Sequence, residues 1–499
     1  MLGELEYQVE GALDPPEPPR HHGRLRRLLP LLLVLLAAAR AAGSGLENPV
    51  VGTGWGHASL IDATALYWNP ALLADLRRSQ LIVTGGVALI DLRYQRERRG
   101  IYQREDEFDF KMPIDEASLD PDKTGISDEV SSLQPLIPAT VFYALPLSDR
   151  WTLGFGLYGS FGAALKFPDD GPQRWSLQEA RILGINTTAG AGVRVSDWLR
   201  LGATGSLVVG YLGLRQVVDL AGTTVIGDAL ANPPISQPND FGADAAPPLR
   251  ELEVLSRPVT IYDAFAVSGT FSFGAAFLPS PDWTIGLTYV HRVPLTFHGK
   301  FVLDMNNDFF TRDLAQQGLQ YPPEVRGDAQ VKLVFPLSVK AAVAFRPTGT
   351  VELAAGFQWF HYSEVKALKV HLESPSFEQP ELGTPPTADV DLPQDWMDTF
   401  EIEVQGAWQA LERLKLGLRF GYHTPFSPDE TADVASPDGT RFVAGLLTDI
   451  RLNERFALMA DYRHEWILER HVAASSHDLA NGTYHFQVAV LTAGLRVDF

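Results

Sequence analysis

Six basic residues, Arg194, Arg200, Lys340, Lys415, Arg419 and Arg463, fall at alternating positions of otherwise apolar segments. There they would share one face with Glu401, Glu403, Asp461 and Glu465. A cation on such a face, shielded from water, is what a carboxylate ligand needs, because hydrogen bonds between ionised partners are the strong ones. The same groups would as readily pair with one another or with a neighbouring segment. Covalent chemistry has far less support. The 499 residues contain no G-x-S-x-G elbow, no H-E-x-x-H and no cysteine, so nucleophilic and zinc-dependent hydrolysis lack their usual residues. His57 is the one histidine of its stretch; a metal ligand alone is not a site, and a structural part or a hydrogen bond is expected of it. No catalytic residue, metal or cofactor is expected.

The elements that must position these side chains are strands. In Leu414–Tyr422 the residues Leu414, Leu416, Leu418, Phe420 and Tyr422 alternate with Lys415, Gly417, Arg419 and Gly421. Phe400, Ile402, Val404 and Trp408 alternate with Glu401, Glu403, Gln405 and Ala407 in the same way. Alternation puts one set on each face of a strand. Many segments exceed ten residues, enough to cross a hydrocarbon core when tilted, whereas sandwich strands centre on about five or six. Aromatics such as Trp151, Trp198, Trp283, Tyr211, Tyr289, Trp408 and Tyr422 gather near segment ends, as interfacial girdles do.

The connections carry a rhythm. Tight turns at 146–150, 196–198, 278–282, 346–350, 410–412 and 452–454 alternate with long Pro-, Asp- and Glu-rich stretches such as 96–138, 218–260, 305–328 and 372–397. That is the pattern of an outer-membrane barrel, with short turns on the periplasmic side. The spacing predicts an all-β transmembrane antiparallel barrel of about 14 strands over 80–499, closed because a bare strand edge in lipid is costly. An even count puts both ends of the barrel at the periplasmic side. The chain closes on Leu491, Ala493, Leu495, Val497 and Phe499, an amphipathic strand with an aromatic terminus, which fits recognition by the barrel-assembly machinery.

Composition agrees. No run of about 18 apolar residues exists, so a helical membrane protein is excluded. The net charge of −20 argues against a nucleic-acid partner. Residues 20–27 are basic, Leu28–Ala39 are apolar, and Ala39-Arg40-Ala41 offers small residues for cleavage, so 1–41 reads as a secretory signal with an atypical acidic, proline-rich extension. The protein is expected in the outer membrane of a Gram-negative bacterium, as a multi-pass barrel in contact with outer-membrane lipid, and as a monomer.

Residues 42–79 lack the period of two. They hold Gly43, Gly45, Gly52, Gly54 and Gly56, a helix candidate at Ser59–Tyr67, and Asn69-Pro70-Ala71, where proline should stop the helix. A barrel of this size has room for them, and the segment reads as an N-terminal helical plug, or hatch.

The run Gly56-His57-Ala58, then Asp62-Ala63-Thr64-Ala65-Leu66-Tyr67-Trp68-Asn69-Pro70-Ala71-Leu72-Leu73, resembles the hatch of the FadL/TodX family of outer-membrane transporters. Similar stretches continue at Pro138–Gly162, Asp282–Gly299, Phe335–Glu364 and Leu416–Gly439. The resemblance implies transport of a hydrophobic small molecule, such as a long-chain fatty acid, by capture at extracellular loops, passage into a plugged lumen and lateral exit beside a kinked third strand. Under it, Gly56, His57, Asn69, Pro70 and Ala71 belong to the gate. Gly159, Ser160, Phe161 and Gly162 are the kink, since glycine weakens a strand and permits bulges. The six cations are candidates for the ligand carboxylate, and Phe309, Phe310 and Leu314 for surface capture. Aromatic-hydrocarbon uptake by the same route, a general diffusion porin and a surface receptor or adhesin are the other readings.

Overall fold

A computed structural model describes residues 50–97, 126–219, 256–318, 321–378, 385–473, 475 and 480–499. The expected signal segment 1–41 and hatch residues 42–49 lie outside them, as do 98–125 and 220–255 of the long connections.

Strands form where apolar residues alternate, and they close into a 14-strand antiparallel barrel. In chain order these are β1 (Gln80–Glu97), β2 (Ile126–Leu136 and Ala139–Pro146), β3 (Trp151–Lys166), β4 (Glu179–Arg194), β5 (Leu199–Asp219), β6 (Ser256–Ser280) and β7 (Trp283–Val290 and Val293–Asp304). There follow β8 (Glu324–Phe335 and Ser338–Thr348), β9 (Val351–Phe360 and Ala367–Glu373), β10 (Thr387–Pro393 and Thr399–Leu411), β11 (Leu414–His423), β12 (Arg441–Arg451), β13 (Phe456–Val472) and β14 (Gly482–Asp498). Neighbours in sequence pair in space, and β1 meets β14 in one register from Gln80↔Asp498 to Arg96↔Gly482. That last seam removes the edge that lipid would not tolerate.

The two faces differ as alternation requires. On β11, Leu416, Leu418, Phe420 and Tyr422 are exposed while Arg419 and His423 are buried in the lumen. Large exposed apolar side chains on this scale would be an aggregation hazard in water and are the expected surface in lipid. Trp151, Trp198, Trp283 and Trp408 mark the short-turn end of that belt. At its other margin Tyr422, Phe442 and Trp466 form a row of cross-strand partners.

Several strands run further than their apolar pattern. β2 begins at Ile126, inside the expected 96–138 connection, and pairs with β1 up to Glu97. Its sequence ISDEVSSLQPL has no apolar face because this part stands above the apolar belt with polar surroundings outside. β6, β8 and β10 likewise start within the expected 218–260, 305–328 and 372–397 connections. Breaks fall where proline removes a donor or the chain bulges, as at Ile137-Pro138 and Pro336-Leu337. At the first of these the wall stays joined, with Gly86 N–H donating to the Pro138 carbonyl at 2.9 Å.

The hatch fills the lower lumen. Its helical part is shorter than expected: α1 covers Ala65–Trp68, followed by a 3-10 helix over Pro70–Asp75. The preceding residues turn instead, partly because the Asp62 carboxylate accepts the Thr64 N–H at 2.7 Å. Leu66, Leu72 and Leu73 are buried against Ile82, Phe142, Ala144 and Ala276 of the wall, worth about 1.5–3 kcal/mol for each large side chain. A second, larger apolar cluster occupies the upper lumen and includes Val50, Phe161, Phe297, Phe301, Phe335 and Phe377.

Candidate functional site

Asn69-Pro70-Ala71 lies flat on a row of glycines. Gly192 of β4, Gly202 of β5 and Gly274 of β6 are direct cross-strand partners. A Cβ on Gly192 would stand 2.6 Å from the Pro70 carbonyl oxygen, and one on Gly274 would stand 2.8 Å from Pro70 Cδ. A Cβ on Gly202 would overlap the Pro70–Ala71 peptide, and one on Gly286 of β7 the Ala58 carbonyl. Removing side chains from the wall is what lets two backbones come this close.

Asn69 leaves the helix in an extended conformation (φ −161°), so the chain stops α1 and starts the 3-10 turn with Pro70 at its first position. Its side chain is fully used. Oδ1 accepts Ala71 N–H at 3.1 Å, and Nδ2 donates to the carbonyls of Ala58 and Ala275, each at 3.0 Å. On the next strand, Thr288 Oγ1 donates to the Trp68 carbonyl at 2.9 Å.

Charged residues tie the hatch elsewhere. Asp75 accepts from Arg194 Nη2 at 2.9 Å and Arg200 Nε at 2.8 Å. Asp461 accepts Gly54 N–H at 2.8 Å, and Arg419 Nη2 donates to the Gly56 carbonyl at 2.7 Å. Arg419 continues into a buried ladder: Glu403 lies 3.4 Å from Arg419 and 2.8 Å from Arg463, and Glu465 lies 2.7 Å from Arg463 and 3.4 Å from Arg441. Arg441 reaches Asp438 of the 424–440 connection at 3.1 Å. Charges buried in this way need partners at every step. His57 is held by Ser59, whose N–H donates to Nδ1 at 3.2 Å. Burial lowers its pKa to about 4; Glu352 opposes that, and Arg419, Lys415 and Arg346 add to it. The imidazole is therefore neutral at pH 7, as an accepting Nδ1 requires.

Above the hatch, the wall itself is interrupted. The β3–β4 register slips between Gly159 and Phe161, leaving Ser160 as a bulge whose Oγ donates to Asn186 Oδ1 at 2.6 Å. The β2–β3 ladder ends at Thr140↔Tyr158, so the upper half of β3 continues without a ladder to β2. Beside that gap is a cavity of about 70 Å³ lined by Leu66, Tyr67, Ser160, Phe161, Phe335 and Lys340, among others. The Lys340 ammonium lies 3.6 Å from the Tyr67 ring centre and 4.8 Å from that of Trp68. The cavity walls are mixed: Leu66, Phe161, Phe335 and Phe360 are apolar, while Ser160, Asn186, Thr204, Ser206 and Ser272 add hydroxyl and amide groups beside the one buried ammonium. The site thus offers an amphipathic surface next to a break in the wall.

A family model described as outer membrane protein transport protein (OMPP1/FadL/TodX) matches residues 35–499. The chain belongs to this family. It is an outer-membrane transport protein, and its family is one of transporters, not of enzymes. Among solved structures it is similar to a FadL homologue of Pseudomonas aeruginosa (18% identity, TM-score 0.71, 91% of this chain and 100% of that one). It is also similar to the toluene transporter TbuX of Ralstonia pickettii (16%, 0.59, 91% and 98%) and to the toluene transporter TodX of P. putida (15%, 0.63, 92% and 99%). At these identities the structures speak for the fold. No curated protein matches the sequence significantly.

The six cations singled out from the alternation of the strands all face the lumen, but the structure separates them. Arg194 and Arg200 hold Asp75 at the periplasmic end, and Arg419 and Arg463 are spent in the ladder. Lys415 sits 4.6 Å from the Trp55 ring centre, beneath the hatch. Lys340 is the one of the six that lines the cavity beside the bulge. Phe310 is not at the surface: it is fully buried in the upper cluster, with Phe309 and Leu314 partly buried against it. The apolar loop turns inward because the upper lumen offers it an apolar partner. Asp75, Tyr67 and Phe335 were not singled out in the sequence. Arg194 and Arg200 flanking one tight turn was the available sign that an acid belonged near them.

Proposed function

We propose that this transporter carries long-chain fatty acids: the acyl chain enters through the apolar upper lumen, the carboxylate rests at Lys340, and the ligand leaves sideways through the gap beside Gly159–Gly162. The observation that supports this most is the placement of one buried ammonium in a cavity with both aromatic and hydroxyl-bearing walls that touches α1 and the Ser160 bulge. An isolated carboxylate would be expensive to bury, and a cation already desolvated by the site offsets that cost. In this reading Asn69-Pro70-Ala71, Gly56 and His57 keep the hatch seated and close the straight route to the periplasm, so the wall gap is the open direction.

The toluene transporters among the similar structures favour a second reading, in which the ligand is a neutral hydrocarbon. Lys340→Met separates the two when uptake of radiolabelled palmitate and toluene is measured in cells. For the fatty-acid reading palmitate uptake falls by about tenfold or more, the loss expected when a charge-assisted contact goes, with toluene uptake unchanged. Equal palmitate uptake in the variant would sink it.

A further inference from the structure

β3 and β8 stand on different sides of the barrel, five strands apart in the sheet order, yet a side chain from each meets in the lumen. The rings of Phe161 and Phe335 stack with centres 3.5 Å apart and planes 17° from parallel. Each ring owes its position to an irregularity of its own strand. On β3, Tyr158 faces the lumen, and the extra residue Ser160 shifts the alternation so that Phe161 faces inward too. The next strand yields space for it: a Cβ on Gly184, the register partner of Phe161, would fall within the Phe161 ring. On β8, Phe335 is the last residue before Pro336, where the inward set changes from odd positions (Leu333, Phe335) to even ones (Ser338, Lys340).

The stacked pair divides the lumen. Above it lies the apolar cluster containing Leu165, Phe297, Phe301 and Phe310. Below it lies the cavity with Leu66, Tyr67 and Lys340, and both Phe161 and Phe335 line that cavity. We infer that Phe161 and Phe335 form a size-selecting aromatic gate, which a flexible acyl chain can part and a wide polycyclic body cannot. This inference rests on the hydrophobic-transport reading given above and adds the residues that set ligand width. The upper half of β3 is built to yield: among the described residues its ladder partner is β4 alone, and toward β2 it has side-chain packing and the bond from Lys166 N–H to Ser132 Oγ at 2.9 Å in place of a ladder. Movement of Phe161 therefore needs no strand pairing to break on the β2 side. Phe335 is paired on one side, with Val293 of β7, while the β8–β9 ladder stops at Lys332↔Lys369 and resumes at Ser338↔Phe360.

The test compares palmitate with a pyrene-tipped fatty acid in cells carrying the full-length protein. Phe335→Ala and Phe161→Ala, each checked for heat-resistant folding, should raise the ratio of pyrene-tipped to palmitate uptake by about tenfold, the discrimination a hydrophobic constriction supplies. An unchanged ratio in the folded variants overturns the gate. A second measurement does not depend on transport. The natural chain has no cysteine, so Tyr67→Cys places a single thiol below the pair. A slim methanethiosulfonate and a bulky pyrene maleimide are then added from outside. Bulky labelling should be slow, and about tenfold faster when Phe335→Ala is added; equal bulky labelling in both backgrounds overturns the gate. If the unmodified protein takes up neither fatty acid, the transport reading fails, while the labelling still decides the gate.

Discussion

Arg419 Nη2 donates to the Gly56 carbonyl at 2.7 Å, so one guanidinium on β11 closes a hydrogen bond across the hatch boundary. The same group reaches Gln405 Oε1 at 2.8 Å and Glu403 at 3.4 Å. Arg419→Leu leaves the Gly56 carbonyl without this donor and takes one cation from Glu403. Breaking a buried pair from one side costs about 3–5 kcal/mol, and here the cost falls on seating the hatch. Hydrogen exchange at the hatch amides around Gly56 should accelerate, and planar-bilayer recordings should show openings that the unmodified protein lacks. Unchanged exchange would mean that the guanidinium only decorates the hatch.

Gly202 supplies a sharper steric test. Any Cβ there overlaps the Pro70–Ala71 backbone, whereas at Gly205, on the outer face of the same strand, nothing lies within 4 Å of a Cβ. Gly202→Val should displace the 3-10 turn, since overpacking costs about 1–3 kcal/mol and the neighbour here is backbone. Gly205→Val should be silent. Bilayer conductance of the two variants side by side reads the difference. If both behave alike, the glycine row is not the seat of the hatch.

Much of the barrel was legible because a strand in lipid has to alternate. Leu414–Tyr422 declares its two faces residue by residue, and the same rule put all six cations in the lumen. The rule fails where its cause fails. Ile126–Leu136 is a strand whose outer face meets no lipid, so its sequence carries no period. Partners across the barrel were also hidden. Nothing local to Arg200 names Asp75, 125 residues away in sequence, and nothing near Phe161 names Phe335. The Gly159–Gly162 cluster marked a weak point in β3, but the phase shift that turns Phe161 inward depends on the β4 register. Phe310 was misplaced because an apolar loop residue looks the same whether it waits for a ligand or packs on Phe309 and Arg257.

Asn69 serves two elements at once, and substitution should expose both. Asn69→Ala strips the donor from the Ala58 and Ala275 carbonyls and the acceptor from Ala71 N–H. Each buried group left unpaired costs about 1–3 kcal/mol. Asn69→Asp keeps the acceptor for Ala71 and loses the donor, so it separates the contacts to the Ala58 and Ala275 carbonyls from the Ala71 cap. Limited proteolysis from the periplasmic side should cut the hatch faster in both, with Asn69→Ala at least as fast as Asn69→Asp. Resistance equal to the unmodified protein in Asn69→Asp would remove both donor contacts, to Ala58 and to Ala275, from the account.

His57 makes the hatch sensitive to acid in a direction that can be worked out. In the seated hatch its pKa is about 4, lowered mainly by burial from the usual 6.5. A displaced hatch returns the imidazole to water and to its ordinary value. Between these values the displaced state binds more protons, so seating loses stability as pH falls below 6.5, and the loss is complete near 4. The full shift corresponds to roughly 3 kcal/mol, enough to change the fraction of open hatches by about a hundredfold. Bilayer conductance titrated through this window should therefore rise on acidification. His57→Gln keeps an acceptor for Ser59 N–H but cannot be protonated, and its conductance should stay flat across the same window. A rise of the same size in His57→Gln would assign the response to the carboxylates of the ladder instead, and His57 would be left as packing.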